Sequence, residues 1–268
     1  MKKDFKERYG PWALVVGCVE GMGAAYVERF AAQGLNVALV DRQAKPLKAQ
    51  AAGIRREHGV QSKPLACDLA EPEQVARMLD RLGGLEVGMV VCNAALGVSG
   101  HWHAVTQADK QRMINVNCVA TTMILDRLTR PMAERGRGGV ILMSSLASRQ
   151  GAARQATYAA CKSFDLILGE SLWDELGEQG IDVLTLIAPM VRTPAFQREA
   201  ADVRSPPFLR ILEPAEVVDE ALAALGKEPS IVAGREWRAA SFMMQHLLPR
   251  KLLISAMGMQ MKRRFPGV

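Results

Sequence analysis

Seven short apolar runs recur along the chain, at 12–17, 36–40, 63–67, 87–92, 139–144, 182–188 and 230–233, and they constrain the fold more than any other feature. Several, such as WALVVG and VGMVVC, are apolar at consecutive positions rather than alternate ones. A strand with one wet face alternates, whereas a strand covered on both faces has no polar side to show. Segments of helical length separate the runs. Residues 22–33 carry Ala25, Val27, Phe30 and Ala31, and residues 72–82 place Val75, Met78, Leu79 and Leu82 at helical spacing. In 109–133 the apolar series is Met113, Val116, Ala120, Ile124 and Leu128; in 157–179, Tyr158, Cys161, Leu166, Leu172 and Leu176 lie along related faces. Pro214 opens a further helix, at a position where a missing N–H costs nothing. Strands alternating with helices predict an α/β fold: a single doubly wound parallel sheet, Rossmann-like, with helices on both faces and right-handed crossovers.

A chain of 268 residues, 49% hydrophobic, can bury one such sheet, and no linker divides it. The net charge of +6, spread over 34 basic and 28 acidic residues, is too mild to argue for a nucleic-acid partner. The five cysteines are odd in number and form no CxxC, which predicts a reduced, cytoplasmic protein. The opening MKKDFKERYGPW is basic but lacks a signal peptide's apolar core. No apolar run reaches the roughly 18 residues that a membrane-spanning helix needs. Residues 242–268 differ from the rest: they hold five of the 14 methionines and five Lys or Arg, with no acid. They read as a basic amphipathic C-terminal extension, expected to pack between subunits, with cover of a pocket or peripheral contact with an anionic membrane as alternatives.

Gly17, Gly21 and Gly23 occupy the turn between the first strand and the helix after it. Glycine lets backbone bend sharply and approach a ligand, and the helix behind it aims free N–H groups and a positive dipole end at the turn. That combination after a first parallel strand suits a diphosphate. Asp41 ends the second strand, 18 residues after Gly23, where a carboxylate can accept both hydroxyls of an adenosine ribose and repel a 2′-phosphate. Glu20 adds a second negative charge, so NAD is favoured. Arg42, just past the strand, is the counter-signal that keeps NADP as the alternative.

Read with that turn, Ser145, Tyr158 and Lys162 resemble the short-chain dehydrogenase/reductase family. The Tyr-x-x-x-Lys motif stands as YAACK, with the serine 13 residues upstream. YGPWALV and INVN are most similar to the 17β-hydroxysteroid and 3-ketoacyl reductase branch. The resemblance implies cofactor contacts at Gly17, Glu20, Gly21, Met22, Gly23, Asp41, Arg42, Asp68, Leu69, Asn93, Ala94, Tyr158, Lys162, Val191 and Thr193. It also implies that Asn117, in INVNC, holds a water linking the lysine to solvent, and that homodimers or homotetramers form on the 109–133 and 157–179 helices. Three positions depart from the pattern. Val16 stands for the usual threonine, whose hydroxyl ties the turn to the fourth-strand loop; Ala95 replaces a glycine; and Pro189 falls where glycine is common.

The residue types fit the chemistry. Tyr158 and Lys162 are four apart, so on a helix they share a face. A phenol has a pKa of about 10, and a neighbouring ammonium stabilises its anion. Tyr158 would exchange a proton with the substrate oxygen while a hydride moves at carbon, and Ser145 would hold that oxygen. After Thr193, the segment with Ala195, Phe196, Phe208, Leu209, Ile211 and Leu212 is expected to form an apolar lid. That favours a hydrophobic secondary alcohol or ketone, steroid-like or with a long acyl chain. His101 and His103 lack a third ligand, so no metal is expected. Residues 1–241 thus read as a dinucleotide-binding and catalytic domain and 242–268 as the extension. The expected function is an NAD(P)-dependent oxidoreductase. A cofactor-binding protein of the same fold with little turnover, serving as a scaffold subunit, is the alternative.

Overall fold

The computed structural model describes residues 2–200, 205–206 and 208–264. Part of the expected lid, 201–204 and 207, and the last residues of the extension, 265–268, lie outside the described residues, as do the side chains of Arg263 and Arg264. In chain order the elements begin α1 (Lys2–Tyr9), β1 (Trp12–Val16), α2 (Gly21–Ala32), β2 (Asn36–Asp41), α3 (Ala44–His58), β3 (Ser62–Ala66), α4 (Pro72–Arg81) and β4 (Val87–Cys92). They continue with α5 (Gln107–Ile114), α6 (Ala120–Arg135), β5 (Gly138–Ser145), α7 (Ala156–Gly177), β6 (Ile181–Ala188), α8 (Pro194–Ala200), α9 (Pro214–Ala224), β7 (Ser230–Val232), α10 (Arg235–Leu247) and α11 (Arg250–Arg264).

The seven strands form one sheet, all parallel, in the order β3-β2-β1-β4-β5-β6-β7. The expected strands agree with the observed ones to within one residue at each end. Consecutive apolar residues are explained by the two cores. Along β1, Ala13 and Val15 join the cluster under α2, α3 and α9, whereas Trp12, Leu14 and Val16 join the cluster under α4 and α6. Successive side chains point to opposite faces, so covering both faces demands apolar residues at every position. Because β1 neighbours both β2 and β4, the chain reverses its direction of winding there, and a crevice opens at the strands' carboxyl ends.

Local structure departs from the sequence reading at several places. The segment after Asp41 forms α3, whose buried Leu47, Ala51 and Ile54 carry a helical spacing overlooked beside Pro46 and Gly53. It ends at Gly59, in the left-handed conformation (φ 67°) that suits glycine as a helix stop. The expected helix over 109–133 is two helices joined by a π-helical segment, Asn115–Val119, an insertion common beside functional sites. The C-terminal extension is helical as α10 and α11, and α10 starts at Arg235, so residue 241 falls inside a helix. Phe242, Leu247 and Leu252 on these helices are each more than 60% exposed. Among the described residues no helix is long and apolar enough to cross a membrane. All five cysteines are free, four of them buried.

Helix α7 lies unusually close to the sheet. A Cβ placed on Gly169 would stand 1.9 Å from Thr185 Oγ1 and 3.0 Å from a Leu142 methyl. Gly169→Ala is therefore expected to lower unfolding stability by about 1–3 kcal/mol through overpacking, although alanine is the better helix former. The double variant Gly169→Ala/Thr185→Ala removes the colliding oxygen and should recover most of the loss. Urea unfolding checks both; a single variant as stable as the parent would show that the helix does not approach this closely.

Candidate active site

The ends of β1, β2 and β4 are tied together by backbone. Val16 O accepts from Asn93 N (3.1 Å) and Ala94 N (2.8 Å), and Gly17 N donates to Val40 O (2.8 Å). Asn93 Nδ2 adds a bond to Gly17 O at 2.6 Å. The turn is thus joined to the fourth-strand loop without the hydroxyl that Val16 lacks. Two glycines are dictated by this packing. Gly17 has φ 78°, and its Cβ would lie 2.6–2.8 Å from Ala94; a Cβ on Gly23 would lie 1.9 Å from Gly17 O. Glu20, the N-cap of α2, makes no side-chain cap bond, so the first-turn N–H groups face the turn without that partner.

A cavity of about 350 Å³ opens over these strand ends. It is lined by Gly17, Glu20, Gly21, Met22, Asp41, Arg42, Asp68, Leu69, Asn93, Ala94 and Thr193, all expected as cofactor contacts. Gly23 lies under the turn instead, and Val191 is buried, its carbonyl accepting from Thr193 N at 2.8 Å. Tyr158 and Lys162 do not line this cavity either. Asp41 Oδ2 accepts from Val19 N (3.2 Å) and Oδ1 from Gln43 N (3.0 Å), which leaves each oxygen capacity for a ribose hydroxyl. The glycine cradle, the open helix start and this carboxylate together fit a dinucleotide.

The charges around the cavity are more balanced than the sequence reading held. Glu20 is not a second unmatched negative charge, because Arg198 on α8 grips both its oxygens, at 2.5 and 3.0 Å. Asp68 receives Arg112 at 3.1 Å. Partial burial works to raise the Asp68 pKa, but the Ala70 N–H, Arg112 and Arg42 outweigh it and hold the carboxyl below its ordinary value. Arg112 and Arg198 both line the cavity and were missed in the sequence, where nothing marked them apart from other helical arginines.

The residues expected to handle the proton stand at the next strand. Ser145 ends β5, with its Oγ accepting from Ala147 N at 3.2 Å. Tyr158 lies at the start of α7, its ring against Gly97: a Cβ there would be 3.3 and 3.6 Å from two ring carbons. Gly97 also lines the cavity, so the tyrosine ring packs behind one of its wall residues. Lys162 follows one turn later with a side chain only 4% exposed. Its Nζ donates to Met143 O (2.7 Å) and Asp165 Oδ2 (2.9 Å), and its own carbonyl accepts from Ser144 Oγ (2.7 Å). The amine expected to serve the phenol and the cofactor ribose is therefore first engaged by a buried carboxylate. Two of its three N–H donors are used and one remains. Burial alone would depress the Lys162 pKa, but Asp165, with Tyr158 and Cys161, more than offsets it and the group is held above its ordinary value. Asp165 is pushed up by burial, with Lys162 pulling part of the way back. The sequence carried a signal for Asp165: an acid on the buried face of α7, between Cys161 and Leu166.

Asn117 is buried and bonds the backbone of Leu96 twice, accepting from its N (2.9 Å) and donating to its O (2.8 Å). Its amide thereby fixes the 94–97 segment that floors the cavity, and the carbonyl of Asn117 accepts from Thr121 Oγ1 at 3.1 Å. The expected lid is corrected in part. Leu212 is core, 1% exposed, because its backbone pairs with Met190 and Arg192 (3.0 and 2.8 Å) and draws the segment against β6. Leu209 packs on the same core, and Phe208 points outward. Ala195 faces the cofactor cavity.

Removing Asp165 leaves a buried ammonium without its counter-charge, which typically costs about 3–5 kcal/mol. Asp165→Leu should lose stability of that order in urea unfolding at pH 7, whereas Lys162→Met/Asp165→Leu, which removes both charges, should recover much of it. A single variant with unchanged stability would show that the pair is not buried as described.

The short chain dehydrogenase family profile matches residues 11–204. The 7beta-hydroxysteroid dehydrogenase of Collinsella aerofaciens is 31% identical over 245 residues, covering 88% of this chain and 93% of that protein. A solved structure from work on 7beta-hydroxysteroid dehydrogenase stereoselectivity superposes with a TM-score of 0.89 at 29% identity, over 94% of this chain and 98% of the other. A short-chain dehydrogenase from Sphingobium yanoikuyae, solved in complex with NADPH, follows at 0.75 and 29% identity, covering 89% of this chain and 94% of that one. With the glycine turn, the parallel sheet and the Ser-Tyr-Lys set, these likenesses show that the chain belongs to the short-chain dehydrogenase/reductase family.

Proposed function

We propose that the protein is an NAD(P)-dependent oxidoreductase that interconverts a hydrophobic secondary alcohol and its ketone, steroid-like or long-chain. The observation that carries this reading is Tyr158 packed against Gly97, which lines the large cavity, with the buried ammonium of Lys162 one helical turn behind it. The nicotinamide, when bound, supplies the hydride acceptor or donor. Tyr158 takes the hydroxyl proton during oxidation and returns it during reduction. Ser145 donates to the same substrate oxygen and fixes its position. Lys162 keeps positive charge beside the phenol and offers its remaining N–H to a ribose hydroxyl. Asp41, with spare acceptor capacity on both oxygens, supports NAD over NADP. Arg42 and the NADPH bound by the Sphingobium relative support NADP as the alternative. The exposed Ile167 (61%) and Trp173 (37%) on α7 support a homodimer or homotetramer built on that helix.

A panel of hydrophobic secondary alcohols, followed by NADH fluorescence, tests the proposal. Turnover should be present and should fall by about 10²–10⁴-fold in Tyr158→Phe, while NAD affinity changes little. Tight NAD binding with no turnover across steroid and long-chain substrates would instead favour the non-catalytic cofactor-binding alternative. For the cofactor, Asp41→Ala should move the NAD/NADP preference in kcat/KM toward NADP by about 10–100-fold, the equivalent of one charged hydrogen bond. An unchanged ratio would remove Asp41 from the ribose site.

A further inference from the structure

A separate cavity, of about 360 Å³, lies where the C-terminal helices meet the turn after Ser145, and it shares no lining residue with the cofactor cavity. Ser148 and Arg149 reach it from the 3-10 turn Leu146–Arg149, Gln245 from α10 and Arg250 from the start of α11. Three leucines line it as well, among them the buried Leu166 of α7 and Leu253 of α11. Its charged lining is the two arginines, and no acid is among the described residues around it.

Several of its polar atoms lack partners. Ser148 is only 8% exposed, and its Oγ has no hydrogen-bond partner among the described residues. Arg149 Nε and Gln245 Nε2 are buried and unpartnered in the same way. The hydroxyl can donate, and the two nitrogens can only donate. Native proteins rarely leave buried donors unmatched, so three of them around one space call for an occupant rich in acceptors.

The backbone also draws the two cations together. Arg250 Nη1 donates to Arg149 O at 3.1 Å, and Ser148 O accepts from Ser163 Oγ at 2.8 Å, which fixes the turn against α7. Burial depresses the Arg149 pKa below its ordinary value, and Glu170 pulls it only part of the way back. Glu170 itself accepts from Ser230 Oγ and does not line the cavity. A bound cation would be repelled here, and a neutral acceptor would leave the arginines unmatched. An anion answers both the charge and the donors, and a guanidinium suits the oxygens of a carboxylate or phosphate.

We infer that this cavity binds a small oxyanion, a carboxylate or phosphate group, among Ser148, Arg149, Gln245 and Arg250, bridging the C-terminal extension to the turn that follows Ser145. The site is distinct from the proposed chemistry and needs neither cofactor nor turnover.

The probes are inorganic phosphate and octanoate, each titrated calorimetrically into the full-length protein at low ionic strength. At least one should bind with a Kd under about 1 mM. Phosphate alone would assign the site to a free phosphate-type anion, octanoate alone to a carboxylate whose tail uses the leucines, and both to the shared oxyanion chemistry. Arg149→Gln/Arg250→Gln should weaken that binding at least about 10-fold, the scale of a charged hydrogen bond. Ser148→Ala should weaken it by about 10-fold as well, while the unfolding midpoint without anion stays the same or rises, because an unpartnered hydroxyl has been removed. A purely structural serine would instead lower the midpoint and leave affinity unchanged. Binding of neither anion would overturn the inference and give the donors to water; binding that survives in both variants would place the anion elsewhere and overturn it too.

Discussion

The buried ammonium of Lys162 is the point on which the site's geometry depends. Taking such a charge out of water costs several kcal/mol unless the protein supplies opposite charge and hydrogen bonds. Asp165 provides the charge and Met143 O an acceptor, at 2.9 and 2.7 Å. Ser144 Oγ holds the lysine's own carbonyl at 2.7 Å, so the start of α7 is pinned to the end of β5 from two directions. Tyr158 and Ser145 sit on those two elements and inherit that rigidity. The same pair sets the local electrostatics, since a lysine buried without Asp165 would drift toward its neutral form.

The rest of the site follows from ties at the carboxyl edge of the sheet. Parallel strands leave their last carbonyls and N–H groups pointing into the loops, and here those groups bond across strands. Val16 O takes two N–H groups from the β4 loop, Asn93 returns a bond to Gly17 O, and Asn117 clamps Leu96 from the π-helical segment. The loop from Asn93 to Gly97 therefore serves two partners: one side floors the cofactor cavity and the other supports the Tyr158 ring. Glu20 and Arg198 close the opposite rim from α8, a segment remote in sequence.

Much of this was legible from residue order alone. Consecutive apolar runs located the central strands, because a sheet covered on both faces leaves no room for alternation; the edge strands β3 and β7 are only partly buried. The glycine turn, Asp41 and the Ser-Tyr-Lys spacing were readable because their chemistry depends on local geometry, one turn of helix or one strand end. Pairings between distant segments were not. Nothing near Glu20 announces Arg198, and nothing near Asp68 announces Arg112. Leu212 was misjudged as lid because its burial comes from backbone pairing with Met190 and Arg192, which an apolar side chain does not reveal. Asp165 is the instructive omission. An acid on the inward face of an otherwise apolar helix needs a partner, and the nearest cation on that face is Lys162.

The central claim is that a dinucleotide lies over the sheet's carboxyl edge with its nicotinamide end facing Tyr158 and Lys162. A crystal structure of the NAD complex tests this most directly. The account predicts adenosine ribose hydroxyls on Asp41, the Tyr158 hydroxyl facing the nicotinamide ring, and Lys162 retaining Asp165 while its third N–H reaches the nicotinamide ribose. A dinucleotide bound with the Tyr158 hydroxyl turned away, or with Lys162 making no contact beyond Met143 and Asp165, would contradict it.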